Sequence, residues 1–155
     1  MSEKEVSSHT AASALIFNYR NELCCFWHRK MAALHLPGGK CEPGESSKIA
    51  LVRELKEELG INPTSSFLVA EKEFPKREYP TGSGQLVNIS QKIYVVRSYE
   101  GVIQNVEDQK HAGILWMNIM ELLHCNIPKS FVMEYILNDK TLMTDLLRPW
   151  LYSNQ

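Results

Sequence analysis

Apolar and polar positions along the chain alternate and cluster in a way that predicts a mixed set of strands and helices. Ala11 to Tyr19 reads as a strand, polar Arg20 and Asn21 follow, and a second apolar run covers Leu23 to Trp27, together a hairpin. His28 to Ala33 is a loop and Leu34 to Leu36 a short strand, closed by Pro37-Gly38-Gly39. Ser46 or Ser47 is placed to cap a helix running to about Leu59, where Gly60 supplies a stop. Further strands are expected at Ser66 to Phe74, Val87 to Arg97 and Gly113 to Met117, with an exposed loop over Pro75 to Gly84. Ile119 to His124 and Ser130 to Leu137 have helical character with a break at Asn126 to Pro128, and Thr141 to Tyr152 is given one or two further turns. Strands with one strong central helix and later shorter ones give an α/β class, a mixed sheet flanked by helices.

At 155 residues, with 44% hydrophobic, the chain suits one domain over residues 1–155, with 1–9 a polar, flexible tail. That tail has no apolar core for a signal peptide, and no later run is long enough to span a bilayer. A net charge of -1 excludes a protein that mainly coats nucleic acid, but leaves room for a small phosphorylated ligand. Cys24, Cys25, Cys41 and Cys125 have no zinc-binding or redox spacing, so reduced thiols and a cytoplasmic setting are expected.

The informative stretch is Gly39 to Ile61. On its helix Glu54, Glu57 and Glu58 fall within an arc of about 100°. Ile49, Val52, Leu55 and Leu59 cluster opposite, which predicts that this face packs on the sheet and the acidic face lines a cleft. Like charges so spaced repel by about 0.2 to 0.5 kcal/mol per pair, and need compensation. Oxygen-only clusters suit hard cations, Mg²⁺ first and Mn²⁺ next. Gly38 and Gly39 let backbone approach a metal or phosphate. A solvated acidic helix would show the same charges without glycines at fixed intervals around them.

Gly39, Glu45, Arg53, Glu54, Leu55, Glu57, Glu58, Gly60 and Ile61 reproduce the Nudix box at each of its nine defined positions. The chain thus resembles a MutT-like Nudix hydrolase, which implies an α/β/α sandwich with a mixed sheet and a catalytic loop-helix. The resemblance implies divalent-metal binding by Glu54, Glu57, Glu58 and the Gly38 carbonyl, and orientation of those carboxylates by Arg53. It makes Glu45 and Gly60 structural, gives Gly39 a place beside the substrate as well as in the loop, and sets Lys40 and Arg29 near the phosphates. The general base is Glu54 or, on the later loop, Glu107, which could also be a metal ligand. His28, His35 and His111 are candidates for substrate contact, and Trp116 is read as core rather than a stacking platform.

The implied reaction is Mg²⁺-dependent hydrolysis of a diphosphate linkage, nucleoside triphosphate to monophosphate plus pyrophosphate. Pro75 sits near a marker position of ADP-ribose pyrophosphatases, and Tyr79 near one of dinucleoside polyphosphate hydrolases. Lys76 and Arg77 add charge to that loop, whereas Asn126 to Phe131 lacks a clear counterpart of the asparagine that reads guanine in MutT. A non-catalytic nucleotide-binding module is the alternative of another class. The expected partner is a small nucleotide, with no nucleic-acid polymer or membrane, and the protein is a monomer or homodimer.

Overall fold

The computed structural model describes residues 6–78 and 85–146. In chain order they form β1 (Ser7–Ile16), β2 (Leu23–His28), β3 (Ala33–His35), β4 (Gly38–Lys40), α1 (Ser47–Leu59), β5 (Asn62–Glu78), β6 (Leu86–Glu100), β7 (His111–Met117), α2 (Ile119–His124), α3 (Phe131–Asn138) and α4 (Lys140–Leu146). A four-stranded sheet has the order β4-β1-β6-β5, and a three-stranded sheet the order β3-β2-β7. The first is mixed: β1 pairs parallel to β6 and antiparallel to β4, and β5 pairs antiparallel to β6.

Strand alternation sorts the apolar side chains into two layers. Ala12, Ala14 and Ile16 of β1, Cys24 and Phe26 of β2, and Tyr94 and Val96 of β6 pack with Leu51, Leu55 and Leu59 of α1. Leu15, Leu23, Cys25, Ile93 and Val95 point the other way, against Leu122, Met133, Ile136 and Leu146 of the later helices. The sheets therefore lie between α1 on one side and α2 to α4 on the other, the α/β/α arrangement expected. Cys24 and Cys25 face opposite layers, and all four cysteines are free.

Several boundaries differ from the sequence reading. β1 begins at Ser7, so Ser7 to His9, assigned to a tail, pair with Val87 to Ile89. It ends at Ile16, because Asn18 folds the turn: its Oδ1 accepts from the N–H groups of Arg20 and Glu22, and Asn21 takes φ 59°. Gly38 and Gly39, read with Pro37 as punctuation, form a strand with Lys40, with Ser13 opposite Gly38. β5 continues through Pro75, where a loop was expected. It lies at the sheet edge, and its register shifts between Phe74 and Arg77, which accommodates a residue with no N–H. Tyr79 to Gly84 and the tail beyond Leu146 lie outside the described residues. No described helix is long and apolar enough to cross a membrane.

Candidate active site

The Ser46 hydroxyl caps α1 by accepting from the Ile49 N–H at 3.2 Å, and Gly60 closes it in the left-handed region at φ 71°. The buried stripe of α1 is Ala50, Leu51, Leu55, Glu58 and Leu59, which corrects the face assigned from sequence. Ile49 is 58% exposed and Val52 half-buried. The reason is geometric: Leu51 and Leu55 lie only about 60° and 100° around the helix from Glu54, so their burial draws Glu58, about 40° round, under the sheet.

The three carboxylates consequently have three environments. Glu58 is 1% exposed, and its Oε1 accepts from the Gly38 N–H at 2.7 Å. Burial pushes its carboxyl up to about 8, against the pull of the Gly38 N–H and the charge of Lys110. Lys110 Nζ and His111 Nε2 stand 3.8 and 3.6 Å from its Oε2. Glu54 is half-buried and raised by burial, with Arg53 opposing the rise. Glu57 is exposed, and does not line the cavity described below.

Arg53 organises the outer part of the cluster. Its Nε and Nη2 donate to the two oxygens of Glu45, each at 2.8 Å, the two-pronged match that a guanidinium fork makes with a carboxylate. Nη1 donates to Glu54 at 3.1 Å and Glu57 at 3.3 Å, and Nη2 reaches the Lys40 carbonyl at 3.0 Å. Glu45 in turn accepts from the Glu42 N–H at 2.8 Å, and its bond to Arg53 holds its carboxyl down to about 2. One guanidinium thus ties the loop to the helix and faces two of the clustered carboxylates.

The glycines are dictated by contact. At Gly39 a Cβ would collide with the Glu54 carboxylate, and at Gly38, at φ +139°, it would collide with the Ala12 carbonyl. Both glycines line a cavity of about 820 Å³, together with Glu54 and Glu58. Arg29, Lys30, Lys40 and Lys110 bring positive charge to the same cavity. Arg29 is exposed, with its Nε donating to the Asp108 carbonyl at 3.0 Å.

Glu107 is half-buried, and its charge acts on Glu58, but it does not line the cavity. His28, His35 and His111 all do, and form a cluster in which His35 and His111 lie 4.9 and 5.7 Å from His28. His111 also stacks on Phe26 at 3.9 Å. Burial lowers His35 to about 4 and His111 to about 3, so these rings are neutral near pH 7 and the cavity's positive charge is that of its lysines and arginine. Trp116 packs against the core beside α1. Lys110 was missed in the sequence; only its position just before β7, in the loop that carries Glu107, could have suggested it.

The donor set is hard oxygen, and fits Mg²⁺ or Mn²⁺ in chemistry. Among the described residues no trio of acidic, histidine or cysteine side chains forms a ready-made cage. A partial set is consistent with Mg²⁺, which keeps several waters and takes phosphate oxygens as ligands.

Comparison with known proteins agrees with this architecture. The Nudix domain model matches residues 7–135. The 8-oxo-dGTP diphosphatase of Escherichia coli (strain K12) is 35% identical over 127 residues, which cover 77% of this chain and 87% of that protein. The CTP pyrophosphohydrolase of the same strain is 38% identical over 86 residues, 56% of each chain, so the match spans about half of that relative. Among solved structures, the solution structure of the E. coli ORF135 protein superposes with a TM-score of 0.71 at 27% identity, covering 93% of this chain and 95% of that one. The chain belongs to the Nudix family and is a hydrolase of phosphorus anhydrides.

Proposed function

We propose that this enzyme hydrolyses a nucleoside triphosphate to the monophosphate and pyrophosphate with Mg²⁺ as its cation, in the manner of MutT-like nucleotide sanitation. The observation that carries the reading is a cavity that has Glu54 and Glu58 in its wall together with Arg29, Lys40 and Lys110. A polyphosphate needs both: carboxylates to hold a cation and fixed positive charge for the remaining oxygens. Two relatives are named for reactions of nucleoside triphosphates, which supports the same class of substrate.

In this reading Glu54, Glu58 and the Gly38 carbonyl would hold the cation from the cavity wall, with Glu57, tied beside Glu54 by Arg53 but outside that wall, as a further ligand; a bound cation would polarise the phosphoryl group and lower the pKa of the attacking water. Arg53 fixes the rotamers of Glu54 and Glu57 through the bonds described above. Glu54 is the general base: it lines the cavity, and its burial raises its proton affinity. Glu107 is the second claimant, as base or further ligand, and acts on Glu58 through its charge. Lys40 and Arg29 bind phosphate oxygens, and Gly39 lets substrate come close to the backbone. The protein is a single domain working in the cytoplasm as a monomer or homodimer on a small nucleotide, without a nucleic-acid polymer or membrane.

A panel of ordinary and oxidised nucleoside triphosphates, diphosphates, ADP-ribose and dinucleoside polyphosphates, with products separated by chromatography, tests this. Pyrophosphate and monophosphate from a triphosphate are expected. Turnover confined to ADP-ribose or dinucleoside polyphosphates would replace the triphosphate reading, and binding without any turnover would make the domain a nucleotide sensor.

A further inference from the structure

The inward face of β6 reads Val87, Ile89, Gln91, Ile93, Val95. Four of these five are aliphatic, and the fifth is an amide only 3% exposed. Burying an amide among aliphatic side chains is unfavourable unless its hydrogen bonds are made. Gln91 is partly satisfied: its Nε2 donates to Ser13 Oγ at 2.9 Å and lies 3.5 Å from the Lys92 carbonyl. Ser13, 8% exposed, is on the same face of neighbouring β1, which runs parallel with Ala11 beside Gln91. Both side chains line the cavity that holds Glu54 and Glu58.

The orientation of the amide follows from these partners. The Lys92 carbonyl is an acceptor only, so the amide nitrogen, not its oxygen, belongs beside it. Gln91 Oε1 makes no hydrogen bond among the described residues and remains as an acceptor, while the Ser13 hydroxyl keeps its own proton to donate. An acceptor beside a donor complements a Watson–Crick edge on which an amino group adjoins an unprotonated ring nitrogen, N4 and N3 of cytosine or N6 and N1 of adenine. The keto and N–H edge of guanine or uracil offers the reverse. Ile89 and Phe131 line the same cavity and supply apolar surface for a base.

We propose that Gln91, held by Ser13, reads the Watson–Crick edge of the nucleobase and makes this enzyme prefer cytosine or adenine over guanine or uracil. This rests on the triphosphate reading above. The test compares kcat/KM of wild type, Gln91→Leu and Ser13→Ala on CTP, ATP, UTP, GTP and a base-free sugar triphosphate. Wild type is expected to favour CTP or ATP. In Gln91→Leu the preference for that substrate over the base-free triphosphate shrinks by about tenfold, the size of one lost hydrogen bond, and the change falls on KM more than on kcat. Ser13→Ala, a smaller change that is the fallback if Gln91→Leu does not fold, moves the same ratio the same way by a smaller factor. An unchanged ratio in the folded variants, a loss equal on base-bearing and base-free substrates, or a wild-type preference for GTP or UTP would overturn the assignment while leaving the triphosphate reading intact. Wild type active on oxidised triphosphates but on none of these five would overturn this assignment alone, and wild type inactive on oxidised triphosphates as well would overturn the parent reading and this one with it.

Discussion

At the residue scale the site turns on the inequality of three carboxylates that look alike in sequence. Glu58 is enclosed and bonded to the Gly38 N–H, Glu54 is half-buried against Gly39, and Glu57 is an outer member tied by Arg53. Arg53→Lys keeps the charge and removes the fork, so Glu45, Glu54 and Glu57 can no longer be engaged together. Turnover is expected to fall by about tenfold or more with the fold retained, read as kcat beside a thermal melt. The buried histidines give a separate prediction about stability. His35 has its Nε2 buried without a hydrogen-bond partner, and burial lowers it to about 4 from an ordinary value of 6.5. The unfolded chain therefore binds a proton that the folded chain refuses, and stability declines as pH falls from about 6.5 toward 4. His35→Phe should flatten the decline in urea titrations across that window, and an unchanged slope would show that His35 does not carry it.

At the scale of elements, the loop between β4 and α1 gives the clearest case of local sequence setting site geometry. Ser46→Ala removes the cap of α1, and should lower unfolding free energy by about 1 kcal/mol in denaturant titrations. Gly39→Ala acts differently, because its methyl meets the flexible end of Glu54 rather than backbone. It is expected to reduce turnover strongly with little shift in melting temperature, whereas Gly38→Ala, which meets the Ala12 backbone at positive φ, should destabilise the fold itself. The limits of α1 were legible because Ser46 and Gly60 bound it, whereas α2 was placed by its apolar character alone, and the structure adds Asn118 as its cap through the Glu121 N–H. Strand ends were less so. β4 has two glycines and one lysine and no apolar alternation, so only its pairing with β1 makes it a strand. The length of β5 is set by β6 beside it, which overrides the local signal of Pro75.

At the scale of the molecule, two layers of helices and the sheets between them bring residues from distant segments to one cavity, where α1 supplies Glu54 and Glu58, β1 supplies Ser13 and neighbouring β6 supplies Gln91. The loop-helix of the site was readable in sequence because its residues are contiguous. Lys110 and the Ser13 and Gln91 pair were not, since their place depends on the register of β1 with β6 and on the loop before β7, which no local pattern encodes. The rotation of α1 about its axis belongs to this scale too: packing of Leu51 and Leu55, rather than the helix's own apolar moment, decided that Glu58 faces inward. Glu58 is proposed to sit in a cation-dependent site for diphosphate cleavage. Its most direct test is pyrophosphate release from a nucleoside triphosphate, measured with and without Mg²⁺ for wild type and Glu58→Gln. Wild type is expected to release pyrophosphate only with Mg²⁺, and a folded Glu58→Gln to lose roughly two orders of magnitude or more. Release that ignored Mg²⁺, or a Glu58→Gln enzyme as active as wild type, would contradict it.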